Sequence, residues 1–213
     1  MPLDFHKSSD GFQLGIWRMD ESLEALHQLV TLSDSDTLTL AGFKSEYRKH
    51  EWLTTRVLAK QLLSSSQEVT ISYNANGKPH LVNSMYSISI SHTKNFVAVL
   101  LSKHHAIGID IETIRPGRIE KIATKFVTQE EENFIEPEKK ILYQHVIWGT
   151  KEVLFKIYSK GELHFLKNLR VRKFRLEEKG KLVGEIQKEN FKKENDVFYE
   201  KHDDLMLVYA MAD

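Results

Sequence analysis

The 213 residues carry 41% hydrophobic and 28% charged side chains, the balance of a folded chain with one large core or two smaller ones. Thirty basic residues offset thirty acidic ones, so no global field points to nucleic acid or an anionic membrane. Cysteine is absent, which rules out disulfides and thiolate metal sites. The polar N-terminus lacks the apolar stretch of a secretory signal, and no apolar run of about 18 residues occurs. The expectation is a soluble cytoplasmic protein with no membrane partner.

In chain order, Phe12, Leu14 and Ile16 alternate with polar or small residues as a first strand. Asp20 is placed to cap a short helix bearing Leu23, Leu26, Leu29 and Val30. A longer helix is predicted over 45–63, followed by strand alternation at Val69, Ile71 and Tyr73 and a turn at Asn74–Gly77. Tyr86, Ile88 and Ile90 alternate with serines, as in a half-buried strand with hydroxyls on its other face, and 96–101 follows as another strand. The pattern then restarts. A strand over 106–112 leads to a turn at Arg115-Pro116-Gly117, Thr128 opens a short helix, and Pro137 opens a long one that Gly161 ends. Strands are expected at 169–176, 182–186, 197–199 and 205–209, with a turn at Lys179-Gly180. This is an α+β chain of two similar α/β subdomains, 1–103 and 104–213, and a cleft between such halves is a usual place for a ligand site.

Six short segments could carry chemistry or mimic it. In Ala106-Ile107-Gly108-Ile109-Asp110-Ile111-Glu112, strand alternation sends the isoleucines to one face and both carboxylates to the other. Carboxylates two residues apart repel unless a cation lies between them, and oxygen ligands suit magnesium; a solvated acidic edge strand is the plainer alternative. Glu152 and Lys156 stand four apart on a helix, as a metal and phosphate site or as an ordinary surface ion pair. Ser91 and His92 end a strand, where hydroxyl and imidazole can meet a phosphate or merely cap the strand end. Asn76-Gly77-Lys78-Pro79 is a stiff loop in which Lys78 could grip a nucleotide, and it lacks the pattern of a Walker loop. Lys44, Arg48, Arg56 and Lys60 fall near one stripe of the second helix, for a phosphate or simply for solvent. Thr128-Gln129-Glu130-Glu131 has the form of a capping box, which gives Glu131 a structural role first.

The order Gly-Lys-Pro, Ile-Ser-His, Ile-Gly-Ile-Asp-Ile-Glu, Lys-Phe-x-x-x-Glu-Glu and Trp-x-x-Lys-Glu-x-x-x-Lys resembles the 4′-phosphopantetheinyl transferase superfamily. The length and doubled layout resemble its two-subdomain, Sfp-like class. The motifs cover roughly residues 44–161. The resemblance implies a pseudo-twofold pair of subdomains with the active site in the cleft between them. The first would bind the nucleotide of coenzyme A; the second would hold magnesium and the catalytic helix.

It implies that Asp110, Glu112 and Glu152 bind magnesium, with manganese suited to the same ligands, and that Lys156 holds the pyrophosphate. His92 and Ser91 would contact the coenzyme A phosphates, Gly77, Lys78 and Pro79 the adenosine end, and Arg48 and Arg56 the 3′-phosphate. Catalysis would fall to Glu152 as base, with Lys156 and His92 stabilising charge. The partner would be an acyl or peptidyl carrier protein of fatty acid, polyketide or nonribosomal peptide synthesis. Such carriers are acidic, and the basic segment 114–126, with Arg115, Arg118, Lys121 and Lys125, is either the docking face for them or a set of solvated helix charges. A monomer is expected. Thr93-Lys94 and Val153 depart from residues frequent in the family. A magnesium-dependent nucleotide phosphohydrolase and a non-catalytic binding module stay open as alternatives.

Overall fold

The computed structural model describes residues 3–9, 11–65 and 68–212, which form an α+β protein of two compact units, Met1–His105 and Ala106–Asp213. In the first unit, strands β1 (Leu3–Ser9) and β2 (Phe12–Arg18) form a hairpin, and helices α1 (Leu23–Leu29), α2 (Asp34–Gly42) and α3 (Glu46–Leu62) follow. Strands β3 (Ile71–Tyr73) and β4 (Pro79–Leu81) make a small ribbon, and β5 (Ser87–Thr93) and β6 (Phe96–Ser102) complete an antiparallel sheet of order β1-β2-β6-β5. Serines cap all three helices: Ser22, Ser33 and Ser45 accept from the backbone N–H of Ala25, Asp36 and Arg48. The cap of α1 is therefore Ser22 rather than the predicted Asp20. Trp52, Leu53, Val57 and Leu58 of α3 join Trp17, Val97, Val99 and Leu101 in one core. A Cβ on Gly15 would lie 2.8 Å from Leu58, so β2 admits α3 closely because that position has no side chain.

The second unit opens with β7 (Ala106–Thr113), then the short helices α4 (Arg118–Ile122) and α5 (Gln129–Glu132). After a 3₁₀ turn at Pro137–Lys139 comes the long helix α6 (Lys140–Tyr158). It ends on a left-handed Ser159 two residues before Gly161, which is also left-handed. Helix α7 (Phe165–Asn168) and strands β8 (Leu169–Val171), β9 (Lys179–Lys188), β10 (Phe191–His202) and β11 (Leu205–Ala212) follow. The sheet order is β7-β11-β10-β9-β8, with β7 on one edge and every pair antiparallel. Lys179-Gly180, expected as a turn, begins β9 and pairs with Tyr199 and Glu200 of β10.

Two glycines set the height of α6 over this sheet. A Cβ on Gly108 of β7 would lie 2.5 Å from the Val153 carbonyl oxygen, and one on Gly149 of α6 would lie 2.6 Å from Val208 of β11. The space beside Gly108 is thus filled by the helix backbone itself. Gly108→Ala must push α6 outward against a rigid carbonyl, an overpacking cost of about 1–3 kcal/mol that urea denaturation will register.

No helix among the described residues is long and apolar enough to cross a membrane.

Candidate functional site

Because α6 lies directly on β7, Glu152 and Lys156 come over the carboxylate face of that strand. Asp110 is buried at 6% exposure, although β7 is an edge strand. The solvated acidic edge is therefore not what forms. Lys156 Nζ donates to the Ile109 carbonyl at 2.6 Å and to Asp110 Oδ1 at 3.2 Å. The pair Glu152 and Lys156 is thus no isolated surface ion pair; its lysine is tied to the strand.

The three carboxylates feel one another. Burial and then Asp110 push Glu112 above its ordinary range, against the pull of Arg118, Lys156 and Arg115. Burial, then Asp110, and more weakly Glu112, push Glu152 up to about 7 while Lys156 opposes them. Lys156, and for Glu112 also Arg118 and Arg115, oppose these shifts without reversing them. An all-oxygen donor set of mutually repelling carboxylates suits a hard divalent ion, so Asp110, Glu112 and Glu152 fit magnesium by their chemistry. They are not drawn into a finished cluster: among the described residues no group of three His, Asp or Glu side chains stands ready-made around an ion.

A consequence for pH follows from Glu152. Its folded pKa of about 7 lies above the unfolded 4.5, so between these values the folded state keeps a proton that the unfolded chain has released. Stability of the metal-free protein therefore falls as pH rises through this window, by up to about 3 kcal/mol, and levels off above it. A cation that needs the ionised carboxylate binds more tightly as that proton leaves. Thermal melts should show a larger magnesium-induced rise in Tm at pH 8 than at pH 5.5.

Second to these come the groups that hold the scaffold. Glu131 closes the predicted capping box: its Oε2 accepts from Thr128 N at 2.8 Å, and its own N–H donates to Thr128 Oγ1. The same carboxylate accepts from Lys151 Nζ at 2.8 Å and, through Oε1, from Val171 N at 2.9 Å. Lys151 is 0% exposed and also donates to the Phe126 carbonyl. Burial lowers its pKa, and Glu131 opposes that shift. His145, which the sequence reading missed, is buried one turn before Gly149. Its Nδ1 donates to the Ile141 carbonyl at 2.8 Å, so Nε2 is the acceptor for Arg115 N at 3.4 Å and ties the turn after β7 to α6. Burial lowers its pKa, which keeps the ring in that neutral form.

In the first unit, His92 sits half-exposed near the end of β5 with Nε2 3.4 Å from Glu51 Oε1. Arg48, also half-exposed, donates to Glu51 Oε2 at 3.1 Å and lies over the Phe43 ring. Ser91 points to the opposite face and is buried, as is Ser89, so the hydroxyl face of β5 is open only at Ser87. Gly77-Lys78-Pro79 belongs to a tight turn in which Asn74 Oδ1 accepts from the N–H of Asn76 and Lys78, with Gly77 at φ 75. Partial burial lowers the Lys78 pKa.

Arg56 does not share the face of Arg48. It is 1% exposed, paired with Asp36 Oδ1 at 2.9 Å, bonded to the Ile71 carbonyl and stacked 3.3 Å over Trp52. Eight residues along a helix turn about 80° past two full turns, which carries Arg56 from the rim into the core. Its assignment to the 3′-phosphate is corrected to a structural ion pair.

Residues 106–209, the segment that carries β7 and α6, match the 4′-phosphopantetheinyl transferase superfamily. Among curated relatives, the chain is 32% identical over 114 residues to the 4′-phosphopantetheinyl transferase AcpT of Salmonella typhi, covering 51% of this chain and 58% of that protein. It is 29% identical to AcpT of Escherichia coli K12 over 51% of this chain and 57% of that protein. It is 25% identical over 167 residues to the 4′-phosphopantetheinyl transferase HetI of a Nostoc species, 70% of each. The chain spans about half the length of the first curated relatives it matches. The family match is thus placed on the strand and helix that hold the carboxylates, and over that segment the chain is similar to 4′-phosphopantetheinyl transferases.

Proposed function

We propose that this protein transfers the 4′-phosphopantetheine arm of coenzyme A to a serine of an apo acyl or peptidyl carrier protein, with release of 3′,5′-ADP and dependence on magnesium. The observation that carries the reading is the group of buried Asp110 with half-buried Glu112, Glu152 and Lys156, lying inside the segment that matches the superfamily. In this reading the carrier serine Oγ forms a bond to the β-phosphorus and the bond from that phosphorus to the departing 3′,5′-ADP breaks. The serine proton needs an acceptor, and the Glu152 carboxylate is assigned that role. Lys156 keeps an ammonium hydrogen beyond its two bonds to β7 and offers it to the pyrophosphate, where negative charge grows. Magnesium held by Asp110, Glu112 and Glu152 would supply positive charge against that pyrophosphate.

The nucleotide end is assigned to Gly77, Lys78, Pro79, His92 and Arg48. The exposed basic residues Arg115, Arg118, Lys121 and Lys125 suit an acidic carrier surface. The test is release of 3′,5′-ADP from coenzyme A with and without an apo carrier protein. Transfer requires release only with the carrier, and none with a carrier whose acceptor serine is alanine. Release without any carrier would make the protein a phosphohydrolase.

A further inference from the structure

We propose that Glu51 is the positioning residue of the nucleotide-phosphate site, holding Arg48 and His92 side by side; this rests on the reading that these two groups serve coenzyme A. The Glu51 side chain is only 7% exposed, yet the Arg48 and His92 side chains it faces are each 47% exposed. The buried pair in the same unit is built otherwise: Asp36 and Arg56 are both withdrawn from water. A carboxylate carried to the edge of the core on α3 and turned to two side chains at the rim does little for the core itself.

Its geometry does organise the rim. One oxygen takes Arg48 Nη1 and the other faces His92 Nε2, so a single group fixes side chains from α3 and β5. The Phe43 ring restrains the guanidinium further, and Tyr47 Oη donates to the Thr93 carbonyl at 3.3 Å, fastening the start of α3 to the end of β5. Arg48 has donors beyond the one Glu51 takes, and His92 keeps Nδ1 for a ligand. A guanidinium and an imidazole held in this way lose little freedom when a phosphate arrives, which is how a remote carboxylate raises affinity without touching the ligand.

The test compares wild type, Glu51→Ala and Glu51→Gln, alone and in an Arg48→Ala/His92→Ala background. Glu51→Ala should raise the KM for coenzyme A about tenfold with kcat within about threefold and the KM for the carrier protein unchanged. Glu51→Gln, which keeps an acceptor for one partner, should recover part of the loss. In the background lacking both partners, Glu51→Ala should change nothing further. An unchanged KM in the single variant, or an equal rise in the background, overturns the proposal, the latter by exposing a merely structural effect. Calorimetric titration of coenzyme A onto the same variants decides the matter separately from transfer. Wild type that binds coenzyme A but modifies no carrier refutes the transferase reading alone, while a tenfold rise in Kd for Glu51→Ala still supports the positioning role and an unchanged Kd refutes it.

Discussion

Asp110→Ala is expected to lower phosphopantetheine transfer by about 10³-fold or more while leaving the fold intact. Asp110 is the member of the carboxylate group that is both most buried and bonded to Lys156. Removing it takes away one proposed ion ligand and frees the ammonium that should face the pyrophosphate. It also relieves the repulsion that raises Glu112 and Glu152, since Asp110 contributes to both shifts. The variant should therefore gain stability without metal and lose the rise in Tm that magnesium gives wild type. A variant with near-normal turnover would remove Asp110 from the mechanism. Steady-state rates on an apo carrier protein, with melts in chelator and in magnesium, measure both effects together.

Lys151→Met is expected to cost about 3–5 kcal/mol of stability, because it leaves the Glu131 carboxylate buried without its cation. Glu131 is 1% exposed and retains only backbone donors from Thr128 and Val171. The pair joins α6 to α5 and β8, so its loss loosens the seat of the helix that carries Glu152. Adding Glu131→Gln, which still accepts from the backbone and removes the stranded charge, should recover a substantial part of the loss. Equilibrium urea denaturation of the singles and the double gives the coupling. Additive costs would mean that the two groups do not act as a pair.

What was readable from the sequence follows the local patterns. The alternation in 106–112 placed three isoleucines on one face and Asp110 with Glu112 on the other, because side-chain direction in a strand depends on spacing alone. The i, i+4 spacing of Glu152 and Lys156 and the capping box at Thr128 are equally local; the box closes, while Lys156 turns to Asp110 and the Ile109 carbonyl. What could not be read depends on neighbours distant in the chain. Helix α2 has weak amphipathic character, with Leu38 exposed, and gave no periodic signal. Missing α2 hid Asp36, and without Asp36 a buried partner for Arg56 was invisible, so Arg56 read as a free surface cation. Strand β1 was missed for a related reason: its pairing to β2 and its mixed exposure need the partner strand to be seen. Glu51 and His145 gave no motif at all. Their meaning lies in contacts with Arg48, His92 and Arg115 that only folding creates.

The most direct measurement of the central claim is the intact mass of apo acyl and peptidyl carrier proteins after incubation with this protein, coenzyme A and magnesium. The account predicts a gain equal to one phosphopantetheine on at least one carrier, abolished by a chelator and by Asp110→Ala. No gain on any carrier, with coenzyme A still bound, would contradict it.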